Sequence, residues 1–348
     1  MIPVNRVLII RFSSLGDIIL LTPLFREIRR YFPEVRLDFL TSTTFAGVCA
    51  NNPHIHRIIA IDRKQGVQAL KRFISEHPRD YYDLVIDAHR SLRSRLLILK
   101  WLGLFSGLGR KTACIDKRSF KRNLLLLTGI NRLREGISQR EAYLNLIKHL
   151  TGSAPLNMST ELFPGSREKQ KAVGIIRAHQ WEGKKMVALG PGASFPGKCW
   201  PKESFLELSE ALQKQGYPVI LLGAGHETEP GWIYENSSAP PLNLAGMLSF
   251  LETAALLEHC HLVVSNDSAV VHFAEAMQVP ALAIFGPTVR EFGYGPFLDR
   301  SRIMEIELKC RPCSRNGKGD CKNRIQRQCL RDIKAETVLN ASLQILQQ

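Results

Sequence analysis

Short apolar runs alternate with amphipathic stretches from one end of the chain to the other. Eight of these runs predict strands, four in each half of the chain: "RVLIIRF", "RLDFLTS", "HRIIAID", "YDLVIDAH", "KMVALGPG", "YPVILLG", "HLVVSND" and "PALAIFG". Several are almost continuously apolar, which is typical of parallel strands covered on both faces. Between them, "ESFLELSEALQKQ" and "LSFLETAALLEHC" have the period of amphipathic helices. This alternation predicts doubly wound α/β units.

The pattern weakens between residues 125 and 184. There the helical stretch "QREAYLNLIKHL" is followed by the polar linker "TGSAPLNMSTELFPGS", and a fresh α/β series begins near Lys185. A chain of 348 residues is long enough for two such cores. We therefore predict an N-terminal domain over 1–165 and a C-terminal domain over 166–348. The sequence leaves open whether the last helix packs back on the first domain.

The charge of the chain narrows the class of partner. The formal net charge is +15, which favours nucleic acid, phosphorylated small molecules or an acidic membrane surface. The N-terminus does not read as a signal peptide, and the longest apolar stretch, from Ala269, is interrupted by His272, Glu275 and Pro280. These features predict a cytoplasmic protein whose eight cysteines are reduced thiols.

The strongest candidate for anion binding is "VVSNDSAVVHFAEAMQVPALAIFGPT", residues 263–288. A buried strand ends here, Asn266, Asp267 and Ser268 are good helix caps, and a helix follows. The free N–H groups at a helix start favour a phosphate, and His272 lies one turn inside that helix. An ordinary capped helix with a partly buried histidine is the alternative.

A second candidate is the Gly/Pro-rich loop "LGPGASFPGKCWP", residues 189–201, with Ser194 and Lys198. Small residues let backbone amides approach a phosphate and lysine supplies a positive charge, although a plain surface loop remains an alternative. A third, weaker candidate is "LLGAGHETE", where His226, Glu227 or Glu229 could hold a ribose or a base. No G-x-G-x-x-G follows a strand, so a nucleotide diphosphate is favoured over a dinucleotide.

Two further motifs leave alternatives open. Asp17, in "FSSLGDIILLTP", stands where a buried strand gives way to a helix, as a helix cap or as a proton acceptor. Near the end of the chain, four cysteines follow a C-x2-C-x7-C-x7-C spacing that fits no standard zinc finger. They are structural thiols or metal ligands, and we predict that no metal is bound. These residues are Cys310, Cys313, Cys321 and Cys329.

Taken together, the motifs resemble a known family. The segments "SSLGDIILLTP", "GPGASFPGKCWP", "SNDSAVVHFAEAMQVPALAIFGPT" and "CRPCSRNGKGDC" occur in the order found in the lipopolysaccharide heptosyltransferases, glycosyltransferase family nine. The resemblance covers essentially the whole chain. It implies the GT-B type of α/β fold, with two Rossmann-like domains whose parallel sheets face a central cleft. The acceptor site is then on the first domain and the donor site on the second.

The resemblance also implies a reaction and a place for it. Heptose would pass from ADP-heptose, with inversion and without a cofactor, to Kdo or to the first heptose of the lipopolysaccharide inner core. The enzyme would work at the anionic inner face of the inner membrane, on a phosphorylated Kdo-lipid A or a heptosylated core. The motifs do not choose between these two acceptors.

Residue roles follow from the same resemblance. Asp17 would be the general base that takes the proton of the acceptor hydroxyl. The donor would be held by Ser194, Lys198, Asp267, Ser268, Ala269 and His272. Ala269 departs from the family, which usually has glycine there. For the anionic acceptor, the motif around Asp17 and the basic residues of the first half supply Ser14, Gly16, Arg63, Lys64, Arg93 and Arg122.

Two other functions are compatible with parts of the sequence. A relative that uses another nucleotide-sugar or another acceptor would carry the same motifs. A nucleic-acid-binding protein would use the basic run between His89 and Arg122, but its arginines are not interleaved with stacking aromatic residues and no nucleic-acid module is recognisable. We therefore predict that nucleic acid is not a partner.

Overall fold

The computed structural model describes residues 4–102, 111–133, 137–152 and 154–348. Contacts divide the chain into two compact units. Unit 1 comprises residues 1–117 and 139–163, and unit 2 comprises residues 118–138 and 164–348. Each unit is built around its own parallel sheet.

Unit 1 has a five-stranded sheet in the order β3-β2-β1-β4-β5. Its strands are β1 (Arg6–Ile10), β2 (Arg36–Ser42), β3 (Arg57–Ile61), β4 (Leu84–Asp87) and β5 (Lys111–Cys114). Its helices are α1 (Leu15–Tyr31), α2 (Thr43–Ala46), α3 (Gly66–Glu76), α4 (Leu92–Leu102) and α6 (Gln139–Thr151). All strand pairs are parallel.

The core of unit 1 lies on both faces of this sheet. Residues 7–10 of β1 are completely buried, as a continuous apolar run predicts for a central parallel strand. Leu8 and Ile10 contribute to one cluster with Phe73 of α3 and Trp101 of α4. Burial of such side chains contributes about 1.5–3 kcal/mol each.

Unit 2 has a six-stranded parallel sheet in the order β11-β10-β9-β6-β7-β8. Its strands are β6 (Met186–Gly190), β7 (Val219–Leu221), β8 (Leu242–Asn243), β9 (Cys260–Asn266), β10 (Ala281–Ile284) and β11 (Arg302–Met304). Its helices are α5 (Ser119–Thr128), α7 (Ser166–Ala178), α8 (Lys202–Lys214), α9 (Glu229–Asn236), α10 (Phe250–Leu257), α11 (Ala269–Ala276), α12 (Gln328–Arg331) and α13 (Ala335–Gln347).

The eight strands predicted from the sequence are confirmed. The sequence missed β5, β8 and β11, which are two to four residues long and mix polar with apolar side chains. Such short strands take their structure from the neighbouring strand rather than from their own pattern.

One segment differs from the sequence-based domain assignment, and one open question is answered. The sequence predicts residues 118–138 in the N-terminal domain, but they pack in unit 2. There Leu125 and Leu133 bury against Phe292. The last helix, α13, packs on unit 2 itself, because Val338 and Ile345 enter the core cluster of that unit.

The strand orders locate the ligand-binding edge of each sheet. In unit 1 the connections run outward in opposite directions from β1 and β4, and in unit 2 from β6 and β9. Loops that follow such a pair of strands diverge and leave a crevice at the carboxyl edge of the sheet. This crevice is the switch point of the sheet. The chemistry-bearing loops are therefore expected after β1 and β4 and after β6 and β9.

Candidate active site

Asp17 lies in the first turn of α1, directly after β1, and is surrounded by donors from its own unit. Its Oδ2 atom is 2.7 Å from Nη2 of Arg11 and accepts a hydrogen bond of 2.7 Å from the hydroxyl of Ser14. The Ser14 backbone N–H also points to Oδ2, at 3.4 Å, so Asp17 does serve the helix start. Tyr143 of α6 donates to Oδ1 at 3.2 Å. The Asp17 side chain is only 13% exposed.

These neighbours decide the ionisation of Asp17. Burial by itself raises the pKa of a carboxyl group, but the Arg11 guanidinium and the hydroxyls of Ser14 and Tyr143 outweigh it, and the pKa of Asp17 lies below its ordinary value. Asp17 is therefore a carboxylate at neutral pH. Arg11 is fixed in turn, because its Nη1 donates to the carbonyl of Ala88 at 2.5 Å.

The loops after β4 and β5 lie at the same edge, and Lys117, after β5, adds positive charge there. The buried carboxylate of Asp87 accepts the backbone N–H groups of His89 and Arg90 and thereby shapes the turn. The pKa of Lys117 lies below its ordinary value, because burial and the charge of Arg11 lower it by more than the carboxylates of Asp17 and Asp87 raise it. Lys117 therefore lies within electrostatic reach of Asp17.

The structure places the predicted acceptor residues in several parts of the fold. Ser14 and Gly16 flank the start of α1 beside Asp17. The exposed Lys64 lies in a turn after β3, and Arg93 is half-buried on α4. Arg122 lies in unit 2, where its guanidinium donates to the Phe292 carbonyl at 2.8 Å. The side chain of Arg63 lies outside the described residues.

In unit 2 the loop after β6 meets the loop after β9 at Lys198 and Asp267. Lys198 Nζ is 2.7 Å from Asp267 Oδ2 and 3.1 Å from the Asp267 carbonyl oxygen. The hydroxyl of Thr288, which follows β10, donates to the same Oδ2 at 2.7 Å. The side chains of Lys198 and Asp267 are 15% and 10% exposed. The ammonium group of Lys198 is therefore held near the surface at the switch point of the unit 2 sheet.

Asn266 ties these two loops together. Its side chain is completely buried, accepts the Trp200 N–H at 2.9 Å and donates to the Pro191 carbonyl at 2.7 Å. Sequence reasoning treated Asn266 only as a possible helix cap. The signal missed was its position at the end of the central strand, where a buried amide must find partners on neighbouring loops.

The start of α11 lies directly beside the pair. Ser268 is the N-cap, and its hydroxyl accepts the Val270 N–H at 3.3 Å. Ala269 is the first helical residue, so its N–H is one of those a helix leaves without an internal partner. His272 is 4% exposed on the same helix, and Ser194 is exposed in the loop after β6.

Glu227 is one of three residues that the sequence offered as alternatives for holding a ribose or a base. Its Oε2 accepts the Ala224 N–H at 3.0 Å. A Cβ on Gly192 would lie 2.1 Å from the Glu227 carboxyl, and one on Gly223 would lie 2.4 Å from Oε2. The glycines of two loops therefore make room for this carboxylate beside the loop of Lys198. Burial raises the pKa of Glu227.

The cysteine-bearing segment packs against the loop of Lys198. A pocket of about 330 Å³ between them is lined by Cys313, Cys321 and Cys329 together with Gly197. Burial raises the pKa of Cys329 to about 11. The described residues, which include all eight cysteines, contain neither a disulfide nor a group of three side chains arranged as metal ligands.

No helix in the described ranges is both long enough and apolar enough to cross a bilayer.

Comparison with known proteins identifies the protein family. Two units, each built on a parallel sheet with candidate residues after its central strands, have the architecture of the GT-B type. The sequence model of glycosyltransferase family 9 (heptosyltransferase) matches residues 71–322. The chain belongs to this family, which confirms the resemblance.

Among its relatives is lipopolysaccharide heptosyltransferase 1 of Pseudomonas aeruginosa, 29% identical over 88% of this chain and 86% of the relative. A family 9 glycosyltransferase from Veillonella parvula superposes with a TM-score of 0.80 at 21% identity, covering 99% of this chain and 97% of the other. An E. coli ADP-heptose lipopolysaccharide heptosyltransferase II superposes with a TM-score of 0.73, also at 21% identity, covering 98% of each chain.

Proposed function

We propose that this enzyme transfers heptose from ADP-heptose to a sugar of the lipopolysaccharide inner core, with inversion at the anomeric carbon. Membership of a heptosyltransferase family supports the class of sugar, and the name of the E. coli structure supports the donor. The observation that carries the proposal is the position of the candidate residues. Asp17 follows β1 in unit 1, and Lys198 and Asp267 follow β6 and β9 in unit 2, each at a switch point.

Asp17 is proposed as the general base. Its carboxylate takes the proton of the acceptor hydroxyl while that oxygen bonds to the anomeric carbon and the bond to ADP breaks. A low pKa suits this role, because the positive character of the sugar in the transition state makes the attacking hydroxyl more acidic. Arg11 and Tyr143 keep the carboxylate ionised and oriented.

The leaving diphosphate is proposed to bind at Lys198 and at the start of α11. Lysine and the free N–H groups of a helix start stabilise negative charge as it develops. Ser194, Ser268 and His272 are proposed to add hydrogen bonds, and Asp267 holds the lysine in place. Glu227 is proposed to accept hydrogen bonds from the ribose hydroxyls.

The acceptor is proposed to be a phosphorylated Kdo-lipid A or a heptosylated core at the cytoplasmic face of the inner membrane. Ser14, Gly16, Arg63, Lys64 and Arg93 remain the proposed acceptor contacts. Arg122 is proposed to reach the acceptor only if it leaves the Phe292 carbonyl. The similar proteins include both a heptosyltransferase 1 and a heptosyltransferase II, so the experiment below uses acceptors ending in Kdo and in heptose.

The test is to supply ADP-heptose with lipid-free acceptors ending in Kdo or in heptose, and to identify products by mass spectrometry. One acceptor should gain a heptose in an inverted linkage, visible by NMR. Loss of transfer in Asp17→Asn with unchanged ADP affinity supports the base. Normal turnover by that variant would remove Asp17 from the mechanism, and no transfer to either acceptor would contradict the proposed substrate.

A further inference from the structure

Helix α4 of unit 1 has an apolar stripe on the side that faces away from the core. Leu92, Leu96 and Leu99 are 80%, 50% and 43% exposed. Their spacing of four and three residues places them on one face of the helix. The opposite face is already buried, since Leu97 is fully buried and Trp101 is 1% exposed. The stripe is therefore not needed to fill the core.

Basic residues flank this stripe on both sides. On a helix of 3.6 residues per turn, Arg95 lies on one side of the three leucines and Lys100 on the other. Both are exposed. The helix has no acidic residue, and none occurs in the sequence between Asp87 and Asp116. The outer face therefore offers leucines for an apolar phase and cations for negative groups beside it.

This combination specifies one kind of partner. A helix that presents leucines between cations lies in the plane of a membrane interface, with its apolar face among the acyl chains and its cations at anionic headgroups. We propose that the outer face of α4 docks the enzyme on a bilayer that contains anionic phospholipid. The proposal rests on the proposed function, because a lipid-anchored acceptor requires the enzyme to work at a bilayer.

The test is flotation of the purified full-length chain with vesicles of phosphatidylcholine alone or mixed with phosphatidylglycerol. The wild-type chain should float with the anionic vesicles and far less with the neutral ones. Leu92→Gln/Leu96→Gln/Leu99→Gln should weaken binding by about tenfold or more, because three leucines lose their contact with lipid. Arg95→Gln/Lys100→Gln should weaken it at low salt and leave little salt dependence.

The matched control is Leu156→Gln, which replaces a leucine that is 77% exposed in the same unit but outside α4. It should bind vesicles like the wild type. Equal binding by the triple variant and the wild type would overturn the proposal, as would equal binding of the wild type to neutral and anionic vesicles. A triple variant that changes oligomeric state but not vesicle binding would assign the stripe to a subunit interface instead.

A second readout separates this proposal from the proposed function. Transfer to a lipid-free acceptor should be the same in the wild type and the triple variant, because α4 then has no bilayer to bind. Vesicle binding without any transfer from ADP-heptose would contradict the proposed function and leave the docking surface standing. Transfer from ADP-heptose without vesicle binding would contradict the docking surface and leave the proposed function standing.

Discussion

Asp17 and Asp267 occupy similar places in the two units, yet their surroundings differ. Each follows a central strand of a parallel sheet and lies at a helix start. Asp17 is paired with Arg11 from the same strand–helix connection, whereas Asp267 is paired with Lys198 from a loop that follows a different strand. One ion pair is local in sequence and the other joins the two loops that flank a switch point.

This difference has a chemical meaning. A pair that is local in sequence keeps one carboxylate ionised within a single strand–helix connection. This suits a proposed base that must be ionised before its substrate binds. A pair between loops instead positions a cation, and the acid serves as its holder. The same residue type thus has two proposed roles, which differ in where its counter-ion comes from. Four substitutions test the distinction, from the largest expected effect to the smallest.

Asp17→Asn removes the proposed base and keeps the shape of the side chain. Turnover should fall by about 10²–10⁴-fold, the usual contribution of a general base. Affinity for ADP should not change, because Asp17 lies outside the unit that carries Lys198. Steady-state kinetics and calorimetric titration with ADP measure the two effects. Asp116→Asn, at an exposed acid of the same unit, is the matched control.

Lys198→Ala should act mainly on the donor. Loss of a charge-assisted contact to phosphate costs about 1.5–3 kcal/mol, so the Kd for ADP should rise by about 10–100-fold. The remaining partners of Asp267 include Thr288, so the loop should keep its structure. Lys214→Ala, at an exposed lysine of the same unit, should leave ADP affinity as it is. Equal Kd values for both variants would exclude Lys198 from the donor site.

Arg11→Gln probes the ionisation of Asp17. In the wild type the pKa of Asp17 is depressed, so the carboxylate and the stability it contributes persist above about pH 4 and are lost only as the pH falls further. Without the guanidinium, burial raises the pKa of Asp17, and the acid limb of the kcat/KM profile should move to higher pH. Stability should fall by about 1–3 kcal/mol. An unmoved acid limb would show that Arg11 does not control the base.

Ala269→Gly should have the smallest effect. Ala269 is the first residue of α11, and the resemblance given under Sequence analysis implies glycine at this position. If the methyl group of Ala269 crowds the diphosphate, its removal should tighten ADP binding by about fourfold, the scale of one methylene in transfer free energy. Calorimetry at several salt concentrations would measure it. Weaker binding by the glycine variant would show that the methyl group does not hinder the ligand.

The sequence was sufficient for the architecture because the central strands are long and apolar. Residues 7–10 and 262–264 are buried on both faces, and such runs identify themselves. Strands β8 and β11, of two and three residues, have no such signal. The change of unit at residue 118 was also invisible, because it depends on contacts with Phe292, far along the chain.

For the candidate site, motifs indicated Asp17, Lys198 and Asp267, because these residues stand among small or helix-capping residues directly after predicted strands. Their partners were harder to find. Tyr143 is a fully buried tyrosine in an amphipathic helix, and nothing local in its sequence indicates that its hydroxyl meets a carboxylate 126 residues away. Residues that set the chemistry through long-range hydrogen bonds follow from the fold rather than from local patterns.

The placement of residues 118–138 has a consequence for cutting the protein in two. The backbone passes between the units after Lys117, after Ser138 and after Phe163, so they are joined by three covalent links rather than one. Cleavage at residue 165 alone would leave two fragments in which α5 stays on the piece that lacks its packing partner. Either half expressed separately would therefore expose apolar surface, and a working split enzyme would require breaks at all three links or a rearranged order of segments.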